Sequence, residues 1–207
     1  CLTGIYLLLN PSKDEFVEGD LFDEITKRGV LRVGVNLESK PYAYVDSKGK
    51  IVGYDVDLAR YIARYIVKSR DRVEFVPITT SNRLIKASTG DVDIVISTVT
   101  ITPSRQEVVE FSVPYDSAGQ AILVKSNSDI KSISDLSDQS VGVIFGTTAE
   151  KNMHNLVPSA KILGFRSYET AYAALKNGDI NAITSDDTIL SRFAIDDKDV
   201  KLLPKRY

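Results

Sequence analysis

Arg105 follows the hydroxyl-rich run Ser97-Thr98-Val99-Thr100 by a few residues. A planar guanidinium and several hydroxyl or backbone donors can close on one carboxylate through paired, charge-assisted hydrogen bonds. The competing reading is a surface salt bridge from Arg105 to Glu107 or Glu110, and the sequence leaves both open. Further on, Gly146-Thr147-Thr148-Ala149-Glu150 has the Ser/Thr-x-x-Glu form of a capping box, which makes Thr147 a helix cap. A helix start that faces a crevice also offers backbone N–H groups to an anion, and the two roles are compatible. Asp186 closes an apolar run, where its carboxylate can hold an ammonium group or cap a helix over residues 188–193. A carboxylate pocket and an ammonium pocket together describe an α-amino acid.

Other chemistries are poorly served. One cysteine, Cys1, and one histidine, His154, cannot assemble a thiol or imidazole zinc site, a disulfide or an extended histidine relay within one chain. No metal and no cofactor is called for. Lys and Arg number 26 against 28 Asp and Glu, a net charge of -2 with no basic run, so nucleic acid is not an expected partner. With 207 residues, 43% hydrophobic and 26% charged, the chain is long enough for one large domain or two small lobes without disulfides.

These residues need positioning elements, and the hydropathy pattern supplies an alternation of strands and helices. Residues 30–35 read as a buried strand, 48–49 as a turn, and 55–66 as a helix whose first turn carries Asp55 and Asp57. Residues 73–76 and 92–96 read as strands, with a helix over 82–89 closed by Gly90 between them. Thr102 and Pro103 are N-cap and first residue of another helix, after which 111–115 break the pattern. Beyond an extended run at 120–125 the alternation resumes. Strands are expected at 141–145, near 162, at 180–184 and at 200–203, and helices from 147 and over 168–177. Residues 89–98 also superpose without a gap on 177–186, each running from helix end through glycine and strand to a polar tip. Equivalent tips at the carboxyl ends of strands are where open α/β sheets bind ligands, which places the expected site between two lobes.

The motifs then form a familiar series: Pro41-Tyr42-Ala43-Tyr44, Gly49-Lys50-Ile51-Val52-Gly53-Tyr54-Asp55-Val56-Asp57-Leu58-Ala59, Asn82-Arg83, Gly90-Asp91-Val92-Asp93, Thr100-Ile101-Thr102-Pro103-Ser104-Arg105 and Phe111-Ser112-Val113-Pro114-Tyr115. With Gly142-Val143-Ile144-Phe145-Gly146-Thr147-Thr148 and Ala182-Ile183-Thr184-Ser185-Asp186, residues 21–207 resemble the polar amino-acid solute-binding proteins of bacterial ABC importers. The resemblance implies an α/β, two-lobed periplasmic-binding-protein-like fold of type II. It implies that Arg105, Thr100 and the backbone at Thr98, with Thr148, hold the ligand α-carboxylate. Asp186 and the Ser97 region hold its ammonium group. Arg83 and the preceding hydroxyl at Thr80 resemble the relatives that bind a side-chain carboxylate, which orders the ligands as glutamate, aspartate, then glutamine; a solvent-facing Arg83 is the alternative. Tyr42 either covers the ligand stem or packs in the core. Asn36, Ser39, Thr98 and Ile144 depart from several relatives, so the side-chain pocket is less firmly implied.

The implied organisation is a tether over 1–20, a first lobe over 21–117, a crossover hinge over 118–125, a second lobe over 126–203, and the start of a second crossover at 204–207. In the family two lobes close on the ligand, and the closed form docks on the importer permease at the periplasmic or extracellular face of the membrane. Closure requires that the ligand bind the closed form more tightly. The apolar start, residues 1–9, is too short for the roughly 20 residues of a membrane span, and Cys1 is a candidate lipid-anchored first residue. The sequence stops before the strands and helices that resemblance would add to the first lobe. A monomer with a fragile or exchangeable sheet edge and weak or absent ligand binding is therefore expected. Alternatives of the same fold are the sensing domain of a membrane receptor or channel and a prephenate/arogenate-dehydratase-like enzyme with Glu38 as general acid. A pure interaction protein using the apolar N-terminus is a further alternative.

Overall fold

The computed structural model describes residues 2–7 and 20–207, and the chain divides into two compact units, Leu2–Ser117 and Ala118–Tyr207. Cys1, the candidate lipid-anchored residue, and residues 8–19 of the tether over 1–20 lie outside the described residues; Leu2–Leu7, read as part of that tether, form a strand, β1.

In the first unit α1 (Asp20–Arg28) leads into β2 (Leu31–Val35), the short strands β3 (Glu38–Ser39), β4 (Ala43–Val45) and β5 (Ile51–Val52), and α2 (Tyr54–Ile66). After these come β6 (Val73–Pro77), α3 (Arg83–Ser88), β7 (Ile94–Thr100), α4 (Pro103–Gln106) and β8 (Glu110–Ser117). The main sheet has the order β6-β2-β7-β1-β8, and β3-β4-β5 make a small second sheet. β2 runs parallel to β6 and β7, as strands joined through crossover helices do. Every residue of β7 is buried, the pattern of a strand covered on both faces. Val33, Val35, Ile94 and Ile96 meet Val56, Ala59 and Ala63 of α2 in the core, where each fully buried large aliphatic contributes about 1.5–3 kcal/mol. β1 lies antiparallel between β7 and β8, and its register slips on both edges.

The second unit repeats the plan with β9 (Gln120–Lys125), a 3-10 turn (Ile133–Leu136), β10 (Ser140–Ile144), α5 (Thr148–Leu156) and β11 (Lys161–Phe165). It continues through α6 (Tyr168–Asn177), β12 (Ala182–Asp186), α7 (Asp187–Asp196) and β13 (Val200–Leu202). The order is β11-β10-β12-β9-β13, with β10 parallel to β11 and β12, and β9 antiparallel to β12 and β13 without a register slip. β7 and β12 therefore hold the same place in two sheets of the same layout, and they carry the two stretches that superpose in sequence. Gly90 and Gly178, which precede them, both have left-handed φ values, 73° and 89°.

Residues 120–125, read as an extended run, are an inner strand with Gln120, Ala121, Ile122, Leu123 and Val124 all buried. One expectation needs correction. Residues 111–115, read as a break, are the middle of β8, an edge strand, where Pro114 is tolerated because an outer edge needs no N–H.

Candidate functional site

The carboxyl ends of β6, β2 and β7 gather most of the singled-out residues of the first unit. Asn36 directly follows β2 and is buried; its side-chain N–H donates to Thr80 Oγ1 at 3.2 Å, and its Oδ1 accepts from the Glu38 N–H at 3.0 Å. Thr80, also buried, lies in the loop between β6 and α3. Arg83 opens α3 and is 4% exposed, so the solvent-facing reading does not hold. Its Nη1 donates to the Ser97 carbonyl at 2.7 Å and to the Thr98 carbonyl at 3.4 Å.

Ser97 is fully buried, and its hydroxyl has no hydrogen-bond partner among the described residues. Thr98, next along β7, has φ 46°, a left-handed conformation that costs a β-branched residue free energy. It is held from both sides: Arg83 takes its carbonyl, and its N–H donates to the Tyr115 hydroxyl at 3.1 Å. Two residues on, the Thr100 carbonyl accepts from Arg105 Nη1 at 2.7 Å. Arg105 is 9% exposed on the one-turn helix α4, which Thr102 caps by accepting the Arg105 N–H. Two buried guanidinium groups are thus tied to carbonyls of one strand, and charge-assisted bonds of this kind fix a cation more firmly than neutral ones.

Tyr42 is 5% exposed; its hydroxyl bonds the Asp116 carboxylate, and its ring meets Tyr54 edge-on at 6.3 Å. Asp55, in the first turn of α2, is fully buried, and the Tyr115 hydroxyl is the polar group facing it. Burial pushes the Asp55 carboxyl up to about 7; the Tyr115 hydroxyl opposes that rise and the Asp116 charge adds to it. Burial also raises Tyr115, together with the charge of Asp55.

In the second unit Thr147 caps α5. Its hydroxyl accepts from the Glu150 N–H at 3.3 Å and donates to the Ile144 carbonyl at 2.7 Å. Glu150 reaches back to the Gly146 N–H at 3.0 Å, one residue before the position a capping box uses. Thr148 is the first residue of α5, half-buried, and Asp186 ends β12 at the N-cap position of α7. The Asp186 carboxylate does not cap that helix; Asp187 accepts the Thr188 N–H at 2.9 Å instead. β10 and β12 are parallel neighbours, so Thr147, Thr148 and Asp186 lie at the carboxyl ends of adjacent strands.

Sequence reasoning overlooked the buried amide of Gln120, which donates to Thr184 Oγ1 at 3.0 Å and accepts from Asn152 at 2.9 Å. It also overlooked Asp55 and Tyr115, although both stand inside motifs it quoted.

The family described as bacterial extracellular solute-binding proteins, family 3, matches residues 31–194. The glutamine-binding protein of Geobacillus stearothermophilus is 33% identical over 187 residues, 89% of this chain and 71% of that protein. The glutamate/aspartate import solute-binding protein of Salmonella typhimurium is 31% identical over 181 residues, 84% of this chain and 60% of that protein. Among solved structures, the cysteine-binding protein from Campylobacter jejuni has a TM-score of 0.84 at 34% identity, covering 87% of this chain and 73% of that one. An ancestral amino acid-binding protein, described as a precursor of cyclohexadienyl dehydratase, has a TM-score of 0.83 at 38% identity, covering 91% and 82%.

Proposed function

The chain belongs to the bacterial extracellular solute-binding proteins of family 3, and from that premise we propose that it holds a polar L-amino acid for delivery to an ABC importer outside the cell membrane. Glutamate, aspartate and glutamine are the candidate ligands, in that order. Arg105, with Thr100, takes the α-carboxylate, and the Thr98 N–H joins them by leaving the Tyr115 hydroxyl; the helix start at Thr147 and Thr148 assists, and Asp186 takes the ammonium group. Arg83, with Thr80 and Asn36, serves the ligand side chain, and Tyr42 lies over its stem.

The observation that carries the reading is the pair of buried guanidinium groups at the carboxyl end of β7, both already fixed by backbone carbonyls. A cation held in place before the anion arrives loses little entropy on binding it. The names of the glutamine-binding and glutamate/aspartate-binding relatives support the choice of ligands.

Isothermal titration of the purified protein with the three amino acids tests the reading, with Arg105→Met as the control. Saturable heat from at least one of them, lost in the variant, supports it. Equal heats from both proteins contradict it.

An enzyme of the same fold is the second reading, favoured by the likeness to the ancestral dehydratase precursor, itself described as an amino acid-binding protein. Its candidate acid Glu38 is exposed at the start of β3. Release of water from prephenate at a rate that Glu38→Gln abolishes would support that alternative.

A further inference from the structure

Two aspartates stand side by side at the start of α7, and the structure uses them differently. Asp186 occupies the N-cap position with φ -60° and ψ 131°, the extended backbone from which a capping side chain takes the N–H two or three residues on, yet its carboxylate makes no such bond. Asp187 serves instead. Its Oδ1 accepts the Gly119 N–H at 3.0 Å and the Thr188 N–H at 2.9 Å, and its Oδ2 pairs with Arg206. Its own N–H donates to the Gly119 carbonyl at 2.8 Å, one step beyond the ladder in which Asp186 pairs with Gln120. The Arg206 stem covers Gly119 so closely that a Cβ there would lie 2.6 Å from Arg206 Cδ. One carboxylate, with 12% of its side chain exposed, thus joins the end of β12, the residue before β9 and the segment after β13.

We propose that Asp187 is a positioning residue for Asp186: by supplying the acceptor that the start of α7 and the Gly119 N–H require, it keeps Asp186 off the helix, where its carboxylate would be withheld from a cationic group. The inference rests on the reading of Asp186 as the ammonium partner. Its physical ground is competition between two neighbouring acceptors. The first turn of a helix offers N–H groups without intrahelical partners, and a carboxylate is drawn to them by hydrogen bonding and by the positive end of the dipole. Asp187 has the additional bonds to Gly119 and Arg206, so it takes that place. Without its carboxylate, the Asp186 side chain, whose backbone already has the capping conformation, turns onto the Thr188 or Ile189 N–H. A ligand must then break the new cap, and its apparent affinity falls with the fraction of Asp186 left uncapped. A cap contributes about a factor of five in equilibrium, which sets the size of the effect.

The first test needs no ligand. The amide protons of Thr188 and Ile189 are followed by NMR in Asp186→Ala, in Asp187→Ala and in the double variant. Asp186→Ala should hardly move them while Asp187 is present, and should move at least one of them well upfield when Asp187 is absent, because only then does Asp186 hold it. Equal shifts in both backgrounds overturn the inference. Should Asp187→Ala fail to fold, Asp187→Ser takes its place, since its hydroxyl lies one bond short of the Gly119 N–H.

Calorimetric titration with L-glutamate reads the consequence. Asp187→Ala should bind about fivefold more weakly than wild type, and Asp187→Asn, whose side-chain carbonyl still accepts from Gly119 and Thr188, should recover most of that affinity. In the Asp186→Ala background the change Asp187→Ala should cost nothing further, because the residue it acts through is gone; a purely structural defect would weaken binding there too. Unchanged affinity in Asp187→Ala, or an equal loss in both backgrounds, overturns the inference. A wild type that binds no amino acid removes the binding reading and leaves the amide shifts to decide this one, whereas glutamate binding with equal amide shifts removes this inference alone.

Discussion

The Arg83 guanidinium donates to the Ser97 carbonyl at 2.7 Å. An arginine expected to meet a ligand side chain is therefore also a brace for the strand that carries Ser97 and Thr98. Replacing it with methionine keeps much of the stem but leaves two buried carbonyls short of a donor. Hydrogen bonds to charged groups contribute about 1.5–3 kcal/mol each, so Arg83→Met should lose roughly 2–4 kcal/mol of stability in urea unfolding. Arg83→Lys, which can reach one carbonyl, should recover part of the loss. Full stability in Arg83→Met would show that the brace carries no weight.

Asp93 is buried between Arg28 and Arg32 and also accepts the Arg32 backbone N–H at 2.8 Å. Both guanidinium groups keep about a third of their surface in water (34% and 31%), so losing the buried carboxylate removes charge-assisted bonds without stranding a buried charge, at a cost of about 1.5–3 kcal/mol. Asp93→Ala should therefore lower the urea midpoint steeply, although this residue lies at the amino end of β7, away from Thr98. Its matched residue in the second unit, Asn181, accepts the Ser140 N–H at 3.0 Å, so the same place in the other sheet ties two strands with a neutral bond. A loss under 1 kcal/mol, measured by unfolding, would assign the cluster to the weak class of surface ion pairs.

Gly53 stands at the N-cap of α2 with φ 130°, and a Cβ built there would lie 2.2 Å from the Tyr42 carbonyl oxygen. No L side chain fits without moving backbone, because the contact is with main chain and the dihedral itself is strained. Gly53→Ala should destabilise by more than about 2 kcal/mol and shift Tyr42 and Asp55 together, visible as altered aromatic circular dichroism. An unaltered spectrum and midpoint would contradict the packing described here.

The pH dependence of stability carries a definite sign. Asp55 has a folded-state value of about 7, above its ordinary value of 3.8, so between these limits the folded protein keeps a proton that the unfolded chain has lost. Its contribution is fully present below the lower value and declines as pH rises to the upper one. From pH 5 to 7 that loss amounts to about 2 kcal/mol for this group. Asp55→Asn cannot titrate, and the difference in unfolding free energy between wild type and variant should shrink or reverse across this interval. A constant difference from pH 5 to 8 would rule out a raised carboxyl at this position.

Much of the framework was legible because local chemistry and long-range packing agreed. α6 begins and ends as its apolar spacing and Gly178 indicate, and α2 starts one residue before the acidic first turn predicts. β8 was not legible: Pro114 and the exposed Val113 read as a break, and only the sheet edge makes a strand of them. Whereas Arg83 and Thr80 came only with the family resemblance, Arg105, Thr147 and Asp186 could be proposed from type and spacing. Asp55 and Tyr115 could not, since helix charge accounts for Asp55 and Asp57 alike; their opposite burial is decided by which face of α2 meets the sheet. Gln120 was hidden for a similar reason: its polarity reads as a linker, whereas Thr184 and Asn152 satisfy it inside the second unit.

The central claim is that one α-amino acid is bound by Arg105 through its carboxylate and by Asp186 through its ammonium group. Calorimetric titration with L-glutamate, compared with its N-acetyl and α-amide derivatives, on wild type, Arg105→Met and Asp186→Asn, tests it most directly. The account predicts that wild type binds only the free amino acid and that each variant loses at least tenfold in affinity. Unchanged affinity in both variants, or equal affinity for the blocked derivatives, would contradict it.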